Sequence, residues 1–152
     1  MRAVIHKDQR WLIGFILFGD MNRYAQYKEL EYAIAANYRN NGYATEALMA
    51  MLEYMFSEQD TEVAAVWVRS FNKECVRVLE KCHFTYEGTL RKHARDRGDT
   101  LCYSILKEEW IEHKLKKQSW IQRILKRNNY RRSSNFSAET ARISFSCGLD
   151  TT

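Results

Sequence analysis

Between Leu30 and Phe56 the chain passes from a strand-like run, through a glycine turn, into a helix-like run. Leu30 to Ala35 reads as strand. Ala44, Leu48, Met51, Leu52 and Met55 then share one face at a 3.6-residue period, which predicts a helix from about Gly42 to Ser57. Gly42 stands at the turn, where a residue without Cβ permits left-handed dihedrals or close approach of a ligand. The first turn of such a helix presents amides that have no acceptor inside the helix, together with the positive end of its dipole. The segment Tyr38-Arg39-Asn40-Asn41-Gly42-Tyr43-Ala44-Thr45 is therefore a candidate anion cradle. An ordinary turn glycine before an amphipathic helix leaves the same signature, so the pattern alone keeps both readings open.

The flanking sequence extends this unit into a mixed domain. Ala3, Ile5 and the run Trp11 to Phe18 predict two strands joined by a turn at Lys7-Asp8-Gln9-Arg10. The near-continuous apolar run Val63 to Val68 suits a buried central strand. Asn72 is placed to cap a second helix whose apolar side carries Val76, Leu79 and Cys82. Phe84 to Gly88 leads into a further strand, Arg91 to Asp99 is a charged connection, and Leu101 to Leu106 is the last clear strand. This alternation predicts an α+β (α/β three-layer) fold with a mixed sheet. Residues 1–112 form that domain. Residues 113–152 are set apart as a basic C-terminal helix and tail, with Trp120, Ile121, Ile124 and Leu125 on the helix and a short edge strand near Ser144 to Leu149.

Composition excludes several classes. A length of 152 residues gives one domain with a real core, and 45 % hydrophobic with 13 % aromatic residues is a globular composition. No apolar run approaches a membrane span, and the apolar stretch at the start is too short for a signal peptide. Cys75, Cys82, Cys102 and Cys147 form neither a CxxC pair nor a zinc spacing, so no metal is expected, and reduced thiols in the cytoplasm are the simplest expectation. The formal charge is +5, but its excess lies beyond residue 113 and no nucleic-acid motif accompanies it. Neither a membrane nor a nucleic-acid partner is expected.

The segment Arg39-Asn40-Asn41-Gly42-Tyr43-Ala44 resembles the Arg/Gln-x-x-Gly-x-Gly/Ala signature of the GNAT family of N-acetyltransferases. Thr45-Glu46-Ala47-Leu48 is similar to its ribosomal-protein alanine acetyltransferase (RimJ/RimL-like) branch. Five further pieces follow the family order: Trp11-Leu12-Ile13-Gly14-Phe15, Glu29-Leu30-Glu31-Tyr32, Asn72 to Lys81, Glu87-Gly88-Thr89-Leu90-Arg91, and Tyr103 to Trp110. The resemblance covers about residues 3–110 and implies a mixed, mostly antiparallel sheet flanked by helices. Family chains usually carry a strand and two helices ahead of the position matching Ala3, so an N-terminally truncated member is expected. An apolar patch of Trp11, Phe15, Leu17, Tyr32 and Ile34 would then be left exposed, to be covered either by the run around Trp120, Ile121, Ile124 and Leu125 folding back or, as the favoured expectation, by a homodimer.

The resemblance also implies a chemistry. Acetyl-CoA would be the cosubstrate and an amine-bearing small molecule or a protein N-terminus the acceptor, with no metal required. Backbone amides from about Asn40 to Thr45, through Asn41, Gly42, Tyr43 and Ala44, would hold the diphosphate. Arg39 would add a charged contact, and Asn72 would meet the pantetheine arm besides capping its helix. Cys75 stands where close relatives carry a serine, implied there as a donor to the leaving sulfur, and Tyr103 is a second candidate for that role. A small buried filler and a core tyrosine are the alternatives for these two. Glu29 and Glu31 are assigned to opposite faces of their strand, so that at most one looks into the site. Glu29, which matches the family glutamate, is the expected general base. His83 and His93 have suitable intrinsic pKa values but match no family base. A CoA-binding remnant that works through a partner is the alternative function.

Overall fold

The computed structural model describes residues 1–21, 24–128 and 143–147. In chain order these form β1 (Arg2–His6), β2 (Leu12–Met21), β3 (Tyr24–Ile34), α1 (Tyr43–Glu58), β4 (Val63–Arg69), α2 (Lys73–Lys81), β5 (Thr85–Leu90), β6 (Thr100–Leu106), α3 (Lys107–Asn128) and β7 (Ile143–Cys147). A single 3-10 turn, Ala36–Tyr38, links β3 to the loop before α1. One seven-stranded sheet has the order β5-β6-β4-β3-β2-β1-β7. Its neighbours are antiparallel except β3 and β4, which run parallel. The fold is the expected α+β class, a mixed sheet flanked by helices.

Strand alternation decides which side chains reach the core. On β3, Leu30 and Ile34 are buried and Tyr32 is half-buried, whereas Glu31 and Ala33 are exposed. The buried side of the sheet meets α1 through Leu48, Met51, Leu52 and Met55, as the helical period predicted, and meets α2 through Leu79. The interior position of β4 explains its apolar run: Ala64, Ala65, Val66 and Val68 are all buried. Gly14 is required by packing, because a Cβ there would run into the carbonyl of Ala33 on the neighbouring strand. Among the described residues no helix is long and apolar enough to cross a membrane.

Three expectations need correction. The third strand extends back from the expected Leu30 to Tyr24, because Tyr24, Lys28 and Glu29 pair with β2 and Tyr27 to Glu29 pair with β4. Glu29 and Glu31 share one face, since residues two apart on a strand always do. The expected apolar patch is smaller: Tyr32 and Ile34 lie on the helix-covered side, opposite Ile16 and Gly14, which leaves Trp11 and Phe15 exposed and Leu17 half-buried.

At the other end of the chain, α3 runs through the point drawn at residue 112, and β7 joins the same sheet as an antiparallel neighbour of β1, with Val4 opposite Phe145. Edge strands carry unpaired backbone groups that template association. A chain ending at Asn128 would leave the β1 edge without β7. Sedimentation at rising concentration is expected to show that this shortened chain self-associates more than the full chain; equal behaviour would mean that β7 protects nothing.

Candidate functional site

The parallel pair is where the sheet opens. β3 and β4 are paired only over Tyr27–Glu29 and Val63–Ala65, and beyond this β3 continues to Ile34 and β4 to Arg69 without a shared ladder. Ligands of open α/β sheets bind outside the carboxyl ends of parallel strands, where the connections diverge. Here β3 leads into α1 and β4 into α2. Between them lies a cleft of about 590 Å³, walled by Tyr32 and Ile34 of β3, by Arg39 to Thr45, and by Asn72, Cys75 and Arg77 of the α2 region.

The loop on the α1 side is fixed by its own hydrogen bonds. Arg39 Nε donates to the Ile34 carbonyl at 3.0 Å, and Asn41 Nδ2 donates to the Arg39 carbonyl at 2.8 Å. Asn40 and Gly42 both take left-handed dihedrals, with φ of 60° and 84°. Gly42 is the N-cap of α1 and makes no side-chain cap bond, and the first helical bond runs from Glu46 N to the Gly42 carbonyl. The amides of Tyr43, Ala44 and Thr45 therefore precede the helical ladder at the cleft wall. Behind them the start of α1 is tied to β1. Gln9 N donates to His6 Nδ1, so His6 carries its proton on Nε2 and donates it to the Tyr43 hydroxyl at 2.9 Å.

On the α2 side, Asn72 caps the helix as expected, its Oδ1 accepting from Cys75 N at 3.1 Å. Cys75 Sγ lies 3.1 Å from the Tyr32 hydroxyl across the cleft. Burial pushes the Cys75 thiol above its ordinary range, against the opposing effect of the Tyr32 hydrogen bond. Burial, reinforced by Cys75, raises the Tyr32 phenol further, so both groups hold their protons at neutral pH. Arg39, Arg77 and Lys81 give the cleft a cationic wall, with Glu74 as an opposing charge. An elongated anion fits such a wall, with its negative groups against the α1 amides and the cations.

Of the residues expected from sequence, Arg39, Asn40, Gly42, Tyr43, Ala44, Thr45, Asn72 and Cys75 line this cleft. Asn41 instead braces the loop through its bond to Arg39. Tyr103 is buried on β6 opposite Val66, with its ring 5.4 Å from that of Tyr86, and does not line the cleft. Glu29 faces away from the α1 side. It lines a shallower depression with Leu17, Phe18, Gly19, Asp20 and Glu31. Its register partner is Ala65, the last paired position before the strands part, so Glu29 sits at the fork of the opening on the opposite face. Burial raises its carboxyl pKa first, and the neighbouring Glu31 charge adds to this. Tyr32, Arg77 and Lys81 were not foreseen as site residues. The shared face of Leu30, Tyr32 and Ile34 and the four-residue spacing of Arg77 and Lys81 were the available signals. Among the described residues no group of three or more His, Cys, Asp or Glu side chains could hold a metal.

Comparison with known proteins agrees with this geometry. An acetyltransferase (GNAT) domain model matches residues 1–85. The uncharacterized N-acetyltransferase YnaD of Bacillus subtilis is 35 % identical over 114 residues, covering 70 % of this chain and 64 % of YnaD. A GNAT-family acetyltransferase structure from Bacillus anthracis superposes with a TM-score of 0.66 at 31 % identity, covering 70 % of this chain and 66 % of that one. A mutant form of the spermidine N-acetyltransferase SpeG of Vibrio cholerae gives 0.67 at 25 % identity, covering 74 % and 69 %. The chain thus spans less than two thirds of YnaD's length. With the family model matching more than half of its residues and the forked parallel pair at its centre, the chain belongs to the GNAT acetyltransferase family.

Proposed function

We propose that this chain binds acetyl-CoA in the β3/β4 cleft and transfers the acetyl group to a primary amine by direct attack on the thioester. The fork of β3 and β4 carries the reading, because it joins two faces at one point. On the α1 side, the amides of residues 43–45 and the Arg39, Arg77 and Lys81 cations receive the anionic part of CoA. On the opposite face Glu29 sits beside the fork, where an acceptor amine would arrive. A carboxylate whose pKa is raised is a better base near neutral pH, and Glu29 would take the amine proton. The neutral nitrogen then attacks the carbonyl carbon, the adduct nitrogen gives its second proton to solvent, the C–S bond breaks, and the CoA thiolate takes a proton from Cys75. Within the family we place the chain in the RimJ/RimL-like branch on the Thr45-Glu46-Ala47-Leu48 pattern. Free thiols at Cys75, Cys82 and Cys102 suit the reducing cytoplasm, and the exposed Trp11 and Phe15 suit a homodimer.

A second reading, a CoA-binding chain that acts only with a partner, is favoured by the exposure of Phe15 and Glu31 on the face away from α1 and of Trp11 just ahead of β2. Calorimetry with CoA, and loss of thioester ultraviolet absorbance with an alanine-initiated peptide or spermidine, separates the two. CoA binding with turnover supports the enzyme; binding without turnover supports the second reading; no binding removes both. For the enzyme, Glu29→Gln is expected to keep CoA affinity and lower kcat about 100-fold. The sign of its pH dependence follows from the base role. Activity should rise as pH rises through the raised Glu29 pKa, and Glu29→Gln should flatten that limb. A variant with full activity would remove Glu29 from the reaction.

A further inference from the structure

The Tyr32–Cys75 contact joins two elements that are remote in sequence and meet only at the cleft. Tyr32 comes from β3, whose face alternates into the helix-covered side, and Cys75 from the first turn of α2. Both line the cleft, and their polar atoms lie 3.1 Å apart. Either atom can donate in this contact, but only one arrangement leaves a proton available to a ligand. If Tyr32 O–H donates to Sγ, the thiol hydrogen is not used between the two residues. The Cys75 amide is already engaged by Asn72 Oδ1, which sets the helix turn that carries the thiol. We infer that Tyr32 is a positioning residue for the leaving-group acid: its hydroxyl orients the Cys75 thiol toward the bound thioester and stabilises the thiolate left behind.

This inference rests on the acetyl-transfer reading and deepens it. The step balances without any further reagent. As the C–S bond of the tetrahedral intermediate breaks, the departing CoA sulfur keeps the electron pair and takes the Cys75 proton, giving free CoA thiol and a Cys75 thiolate. The Tyr32 O–H donates to that thiolate until solvent reprotonates it. Burial makes the Cys75 thiol a weaker acid than it is in water, and the Tyr32 hydrogen bond to the thiolate offsets part of that cost. Phenol and thiol both remain protonated at neutral pH because the site is partly buried, which keeps the acid in its working form. The ionisable groups around Tyr32 and Cys75 are Tyr103 on β6, Arg39 on the loop before α1, and Glu74, Arg77, Lys81 and Cys82 in the α2 region. Tyr103 is coupled to Cys75 through space but does not line the cleft, so Tyr32 is the phenol placed to act on the thiol.

Two measurements test the pair. The first needs no acceptor: alkylation of Cys75 by iodoacetamide, read by peptide mass, with and without saturating CoA. CoA is expected to slow alkylation at least about tenfold. Equal rates in a chain that calorimetry shows to bind CoA would overturn the inference while leaving the cofactor reading intact. The second compares steady-state kinetics of Cys75→Ser, Cys75→Ala and Tyr32→Phe. Cys75→Ala is expected to lose about 100-fold in kcat and Tyr32→Phe about tenfold, with the KM for acetyl-CoA unchanged in both. In wild type kcat should fall at alkaline pH as the thiol ionises. Tyr32→Phe should move that limb to higher pH, because the thiolate loses its donor, and Cys75→Ser should retain turnover while abolishing the limb. A purely structural role would change melting temperature or KM and leave the limb in place. Wild-type kcat and pH profile in Cys75→Ala or Tyr32→Phe would overturn the inference, whereas a wild-type chain that binds no CoA would overturn the acetyl-transfer reading beneath it.

Discussion

Replacing Val66 with Asp is expected to unfold the domain or leave it only marginally folded. Val66 is 3 % exposed, and its backbone is held in register with Tyr103 of β6. Its side chain belongs to the continuous core formed with α1 and Leu79 of α2. A carboxylate there would be desolvated with no cation in the core to receive it, at a cost of about 3–5 kcal/mol if it stays charged. Total stabilities of domains are of the order of 5–15 kcal/mol, so this one change consumes much of the margin. Val66→Ala serves as the control, because it removes only methyl groups and should cost about 1–3 kcal/mol. Thermal melts followed by circular dichroism would compare the three chains. An unchanged melt in the Asp variant would place residue 66 at an exposed edge and contradict the β6-β4-β3 order on which the cleft depends.

Local signals read well wherever one element settles its own chemistry. The 3.6-residue recurrence of Leu48, Met51, Leu52 and Met55 predicted α1 because that helix has a single apolar face against one sheet. The near-unbroken apolar run of β4 predicted a strand covered on both sides, and Ala64 to Val66 are buried accordingly. Asn72 could be read as a cap because a cap is made within four residues, here to Cys75 N. The cleft-lining segment from Arg39 to Thr45 was visible for the same reason, as a glycine turn entering a helix.

What escaped the sequence was set by partners far along the chain. The run from Tyr24 to Lys28 carries few strong strand formers, and it becomes strand because β2 and β4 pair it from both sides. Tyr32 looked like part of an exposed patch until its register opposite Ile16 placed it under the helices, 43 residues in sequence from the cysteine it meets. The error over Glu29 and Glu31 was of another kind, since strand periodicity alone puts them on one face. With both carboxylates on the face away from α1, the raised Glu29 pKa gains a cause that a lone glutamate would lack. The short edge strand near Ser144 was legible, but its pairing with β1 was not, because its partner lies at the other end of the chain.

Gly42→Val is expected to weaken CoA binding by at least about tenfold, which corresponds to roughly 1.4 kcal/mol. Gly42 caps α1 at φ 84° and ψ −6°, a left-handed conformation that is a steric outlier for a β-branched residue. The strain can be relieved only by rotating the backbone at the helix start. That rotation turns the amides of residues 43–45 away from the cleft wall they share with Arg39 and Arg77. It also disturbs the Glu46 N to Gly42 carbonyl bond that begins the ladder. Most of α1 lies beyond this turn, buried through Leu48, Met51, Leu52 and Met55, so the helix itself should persist. Affinity and stability are therefore expected to separate: a large rise in Kd by calorimetry, with only a modest fall in melting temperature. Gly42→Ala, which carries the left-handed penalty without β-branching, should fall between wild type and Val. If the folded Val variant bound CoA as tightly as wild type, the α1 amides would not be the diphosphate site, and the cationic side chains of α2 would have to carry the anion alone.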